Sequence, residues 1–144
     1  MDPLASDKDF VKHAAETLSA NAELGKLAQE KGSTDAVKEL GRRMADDQKA
    51  NDELKQAAAK ANIQVPAEPP KNVKKTEDKL SKLSGPDFDK AYAKAISSEE
   101  KNGVKSFDRE SRSGHVPTLK QYAAQTLPHL QENQKAAEQL TGQK

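Results

Sequence analysis

The sequence predicts an all-α fold: a four-helix bundle with a long strap, containing a short helix, between its second and third long helices. Three observations carry this expectation. Ala, Leu, Lys, Glu and Gln, all good helix formers, dominate the 144 residues. Apolar side chains recur at helical spacing over long stretches. The seven glycines and seven prolines sit mostly at the edges of those stretches. The apolar share is only 33 %, and 21 of those residues are alanine, so 27 larger side chains must build the core. Charge is balanced at 24 basic and 23 acidic residues, unlike a chain held unfolded by self-repulsion. A thin, Ala-lined bundle forming one domain over residues 1–144 is the expectation.

The first helix is read over about 7–31, with Ser6 as N-cap, Asp9 completing a capping box and Gly32 as stop. Its stripe is Phe10, Ala14, Thr17, Leu24, Leu27 and Ala28. The second runs over about 34–62, capped by Ser33, with Val37, Leu40, Met44, Leu54, Ala58 and Ala61. So short a link makes these two an antiparallel hairpin. Val65-Pro66-Ala67-Glu68-Pro69-Pro70 then excludes a long helix, and the strap covers about 63–85 with a short helix from Val73 to Leu83. Pro86 opens the third long helix, about 86–112, marked by Phe88, Tyr92, Ile96, Val104 and Phe107. The fourth covers about 116–141, with Leu119, Tyr122, Leu127, Leu130 and Ala137. Pro128 lies inside it and is expected to kink it. The strap is long enough to run the length of a bundle, so a crossover as in ferritin-like folds and a simple up-down bundle both fit.

Several function classes are excluded at once. No apolar run approaches the roughly 20 residues of a membrane span. With no cysteine there is no disulfide framework and no thiolate chemistry. A net charge of +1 without a basic block argues against nucleic acid as the partner. No cofactor motif and no nucleophile with a base at a telling spacing appear, so no catalytic residue and no cofactor is expected. Lys71, Lys74, Lys75, Lys79 and Lys82 make the strap basic, but Glu77 and Asp78 interleave with them. Such a pattern is usually a solvated face and less often a contact with an anionic surface.

The anomaly is polarity at mid-helix. Gln48 and Asn51 interrupt the second stripe, Glu100 the third and Asn133 the fourth, while Thr17 and Asn21 interrupt the first with Glu23 on its flank. Asp47 stands beside Gln48. Mid-points of antiparallel helices meet, so Gln48, Glu100, Asn133, Asn51, Glu23 and Asp47 form a candidate polar layer or ligand site. A hydrogen-bonded layer that sets register is the favoured reading. A carboxylate-bridged metal centre is poorly supplied, because no Glu-x-x-His pair exists and His13, His115 and His129 are scattered. His129 is expected to be an exposed helix residue.

Four stretches carry a resemblance. Ala22-Glu23-Leu24-Gly25-Lys26-Leu27-Ala28, Met44 through Leu54 (Met-Ala-Asp-Asp-Gln-Lys-Ala-Asn-Asp-Glu-Leu), Phe88-Asp89-Lys90-Ala91-Tyr92 and Thr126-Leu127-Pro128-His129-Leu130 resemble the bacterial "domain of unknown function 4142" family in order and spacing. The resemblance implies a ferritin-like helical bundle, usually exported, with no established enzymatic activity. Members commonly carry histidines where this chain has Gln48, Glu100 and Asn133. The polarity is kept here and the imidazoles are not.

The expectation is thus a non-enzymatic bundle of the periplasm or secreted space, a stress-related or interaction module, with the cytoplasm as the alternative location. No signal segment opens the chain, and its first residues read as a mature N-terminus behind a start methionine. It would act as monomer or homodimer, with a protein as the kind of partner to expect. Two other readings are carried: a metal- or small-ligand-binding ferritin-like protein, and a hydrophilic desiccation protectant.

Overall fold

A computed structural model describes residues 4–66 and 70–141. The described chain forms helices α1 (Ala5–Lys31), α2 (Asp35–Ala45), α3 (Asp47–Ala59), α4 (Lys71–Ser81), α5 (Gly85–Ser113) and α6 (Pro117–Thr141), with no strand among the described residues. The four long helical stretches and the short strap helix stand where the periodicity put them, with local corrections. α1 starts at Ala5 behind Leu4, and no side chain caps it. Ser6 is therefore inside the helix rather than its cap. The second stretch is capped by Thr34, not Ser33: the Thr34 hydroxyl accepts the Val37 N–H at 3.2 Å. Ser33 instead donates its own N–H to Asp89 of α5 at 3.0 Å. The stretch is also two helices rather than one. At Asp46 the ladder tightens to an i→i+3 bond from Lys49 N–H, 3.1 Å long, which separates α2 from α3. Part of the proline-rich segment, residues 67–69, lies outside the described residues. α6 continues through Pro128 as one helix.

Named contacts fix the directions. α1 is antiparallel to α2–α3, with Asn21 meeting Asp47, and antiparallel to α5, with Phe10 meeting Phe107 and Asn21 meeting Glu100. α6 is antiparallel to α3, where Asp47 meets His129 and Ala50 meets Tyr122. α1 faces α6, and α2–α3 faces α5, across the diagonals. The diagonal pair α3 and α5 is consequently parallel, and the strap between them must climb the whole bundle. It does so along α1. Asn72 donates to Glu16 at 2.6 Å near the bottom, and Lys31 donates to the Ser81 carbonyl at 3.0 Å at the top. α4 thus lies parallel to α1, with Val73 and Leu80 buried beneath it.

The core is two apolar clusters. One holds Phe10, Leu18, Leu54, Phe107, Leu119, Tyr122 and Leu130, with Phe10 edge-on to Phe107 at 4.9 Å. The other holds Leu24, Val37, Leu40, Met44, Phe88, Tyr92, Ile96 and Ala137. Small residues let the helices close on each other, most tightly where α1 crosses α2. A Cβ on Gly25 would stand 2.6 Å from the Gly41 carbonyl oxygen, and one on Gly41 would stand 2.7 Å from that of Gly25. Both obstacles are backbone and cannot swing aside. Gly41→Ala is therefore expected to lower unfolding free energy by about 1–3 kcal/mol, as overpacking does. Urea denaturation followed by circular dichroism measures it, and an unchanged midpoint would contradict the close approach.

Candidate functional site

Between the two apolar clusters lies a polar layer to which every long helix contributes. Asp47 is its centre. Buried carboxylates are costly unless hydrogen-bonded, and Asp47 is fully buried. Its Oδ2 accepts from Asn21 Nδ2 of α1 at 2.8 Å, and its Oδ1 receives His129 Nε2 of α6 at 2.7 Å. The Asn21 amide has two hydrogens, and the second goes to Glu100 Oε1 of α5. One NH2 group thus bridges two carboxyl groups. On the other side, Arg43 Nε of α2 donates to Asn133 Oδ1 at 3.0 Å, and its Nη2 reaches Glu132 at 3.4 Å. His129 Nε2 donates its proton to the carboxylate. The Asn133 Nδ2 that approaches the same nitrogen at 3.3 Å is also a donor, so it adds no second bond.

The electrostatics follow from burial. Glu100 is fully closed from solvent, and burial first, then the neighbouring Asp47 charge, push its carboxyl well above the ordinary range. The Asn21 hydrogen bond works the other way and does not offset them. Glu100 is the member of the pair that holds its proton. Its Oε2, the Asn21 Oδ1 and the Tyr92 hydroxyl have no hydrogen-bond partner among the described residues. Burial together with the two carboxyls raises the Tyr92 hydroxyl beyond its ordinary value, so it stays neutral. The His129 imidazole moves upward, chiefly through its hydrogen bond to Asp47, which favours the charged ring.

The expected layer is present but differently composed. Glu100, Asn133, Asn51 and Asp47 are buried. Gln48 is not part of it. It is exposed and donates to Asp52, one turn along, at 3.3 Å. The inward positions of the second stretch are Val37, Leu40, Met44, Asp47, Asn51, Leu54 and Ala58. These steps of three and four alternate, so the position after Met44 is Asp47, and Gln48 falls off the seam. Glu23 is half-buried toward the strap, where Lys26 stands 3.9 Å away and its charge acts on Glu77 rather than on Glu100. His129 is half-buried and engaged, not simply exposed. Periodicity did mark Asn21 as a break in the α1 stripe. Arg43 carried no signal, because its partner lies far away in sequence.

A second polar junction escaped the sequence. Asp7, buried, accepts the N–H of His115 at 3.1 Å and of Val116 at 3.3 Å, which caps the start of α6 from α1. Glu110 shares the site. Burial and the hydrogen bond to Asp7 push Glu110 up to about 8. Burial works against the Asp7 charge as well, but the bonds from Glu110, Val116 and His115 outweigh it, and Asp7 lies below its ordinary value.

A family model described as a domain of unknown function, DUF4142, matches residues 2–140. The chain belongs to the DUF4142 family. No curated protein and no solved structure matches it. In this DUF4142 chain, among the described residues, no three His, Asp or Glu side chains stand together as a set able to hold a metal ion. No helix among the described residues is long and apolar enough to cross a membrane. What the layer does chemically is hold one proton on Glu100 and one imidazole, hydrogen-bonded to Asp47, between α3 and α6.

Two outcomes test this geometry. Glu100, Glu110 and Glu99 (pushed up to about 7 by burial and the nearby Glu16) all bind protons more tightly when folded. A raised folded-state pKa means stability is greatest below the unfolded value and is lost as pH rises through the folded one. His129 has the same sign. The melting temperature is therefore expected to fall steadily from pH 5 toward pH 9, and Glu100→Gln, a copy of the protonated group, is expected to flatten that slope while leaving the pH 7 fold intact. A slope unchanged in Glu100→Gln would show that Glu100 is ionised when folded. Separately, Asp47→Ala removes one of the two acceptors of the buried Asn21 amide and the partner of His129, and is expected to cost about 1–3 kcal/mol. Denaturant titration of Asp47→Ala beside Gln48→Ala reads the difference, with Gln48→Ala within about 0.5 kcal/mol of the parent.

Proposed function

We propose that this chain is a non-enzymatic, extracytoplasmic helical-bundle module that works through its surface, in a stress-related or interaction role. Its centre is a degenerate ferritin-like layer. The observation that carries the reading is the closure of that layer: Asn21, Asp47, Glu100 and Asn133 have no exposure to solvent. A catalytic group must reach substrate or water at the moment of reaction. Here the ionisable pair is spent on joining helices. The parallel diagonal helices α3 and α5, joined by a strap that climbs α1, are the connectivity of a bundle with one long crossover, which supports the ferritin-like reading. Extracytoplasmic location is supported by the absence of cysteine, which suits an oxidising space, and by the exported habit that the family resemblance implies.

The test is a melt of purified protein with and without added Fe(II), Mn(II) or Zn(II), beside elemental analysis. A metal that binds only the folded chain, present at about 100 times its dissociation constant, would add about 2.7 kcal/mol. The reading expects no such rise and no stoichiometric metal. A rise abolished by Asp47→Asn would replace it with a metal-binding function.

A further inference from the structure

The outward face of α5 is predominantly basic, with Asp87 near its start and Asp108 near its end as the acids in the same sector. Lys90, Lys94, Lys101, Lys105 and Arg109 are all exposed. At about 100° per residue they fall within one sector about 100° wide, opposite the buried Phe88, Tyr92, Ile96, Gly103 and Phe107. The stripe is about 28 Å long at the helical rise. Ser98 and Asn102, beside it, are neutral. By contrast, Arg42 stands between Glu39 and Asp46, and Arg112 pairs with Asp108 at 3.1 Å. Lys94 and Lys101 have no acidic residue three or four positions away in either direction. Among the described residues, none of the five forms an ion pair.

The flanks carry both signs, with bases in excess on α4. On one side α4 packs against α5 and exposes Lys71, Lys75 and Lys82, with Asp78 and the half-buried Glu77 as the acids among them. On the other side α6 exposes Lys120 and Gln131, with the half-buried Glu138 a further two turns along. Acids border it at both ends: Asp89 lies beside Lys90 and Lys94, and Glu16 and Glu99 line the groove between α1 and α5 beside Lys105 and Arg109. Burial pushes Glu99 up to about 7, so part of that negative charge is absent near neutral pH.

The chemistry of the face selects its partner. Among the described residues the only large apolar side chain that is exposed is Leu140, at 36 %. The face therefore has no apolar wedge to insert into a bilayer core and no ring on which a base would stack. Four of the five charges are lysine, a flexible point charge suited to a fluid layer of phosphate groups rather than to bidentate recognition. A straight, flat row of lysines on a rigid helix matches an extended anionic sheet. We propose that the outward face of α5, extended by α4, docks this chain on anionic lipid bilayers through their phosphate headgroups. The proposal deepens the surface-module reading by naming its surface, and its test uses different residues from the metal melt.

The experiment is co-sedimentation with vesicles of phosphatidylcholine alone or mixed with phosphatidylglycerol. The chain is expected to pellet with the mixed vesicles at low salt, to be released as salt rises, and to ignore phosphatidylcholine. Lys94→Glu/Lys101→Glu/Lys105→Glu is expected to weaken binding by more than about tenfold. Lys38→Glu/Lys49→Glu/Lys55→Glu, on exposed positions of α2 and α3, changes net charge equally and is expected to keep most of it. The neutral Lys94→Gln/Lys101→Gln pair, expected to lose several-fold, covers the case in which three reversals unfold the helix. Three results would overturn the proposal: no binding to the mixed vesicles, equal losses in the two triple variants, or binding to duplex DNA without binding to vesicles. Any of these beside an unchanged metal melt removes the lipid surface and leaves the closed-centre reading standing.

Discussion

A carboxylate removed from water is the constraint around which this bundle is arranged. Asp47 has no exposure, and such a charge costs several kcal/mol unless partners replace its hydration. No single neighbouring helix supplies enough. Asn21 reaches it from α1 and His129 from α6, while Asn21 also ties in Glu100 of α5. A slip of any helix by one turn would strand a buried polar group. The layer therefore sets the register of helices whose alanine-rich faces would otherwise slide past one another with little penalty. Its cost is visible in Glu100, which keeps its proton, and in buried oxygens with no partner among the described residues.

The thin core and the polar layer are two parts of one solution. Apolar clusters above and below the layer supply the drive to collapse, with aromatic rings at Phe10, Phe107 and Tyr122 on one side and Phe88 and Tyr92 on the other. Small residues then bring backbones close, as at Gly25 and Gly41, so that modest side chains fill the space between helices. Uniform small apolar contacts specify little by themselves. The polar layer at mid-bundle and the Asp7 cap on the start of α6 at one end provide the specificity.

Most of the helical plan was legible because helical periodicity is local. Each buried stripe repeats in steps of three and four, and Gly or Pro marks most boundaries. The break at Asp46 was not legible: no Gly or Pro signals it, and an Asp-Asp pair reads as continuing helix. The misplacement of Gln48 has the same root. In an isolated stripe both positions after Met44 lie near the seam, and only the facing Asn21 and His129 select Asp47. Expecting the half-buried His129 to be a free surface residue failed for a related reason. A helix residue at the margin of the buried face is classified by what stands opposite, and its partner lies 82 positions earlier.

Composition and spacing alone determined that this chain is helical, that its core is thin, and that polar residues interrupt each long stripe near its middle. Those properties rest on backbone propensity and on side chains within a turn or two of each other. They left open whether the strap crosses the bundle, which carboxylate enters the centre, and which partner each buried group takes. Three-dimensional packing resolved them, because each depends on contacts between residues tens of positions apart. The same holds for the unpaired lysines of α5. Their spacing is present in the chain, but that no neighbouring helix brings them an ion-pair partner among the described residues is decided by packing.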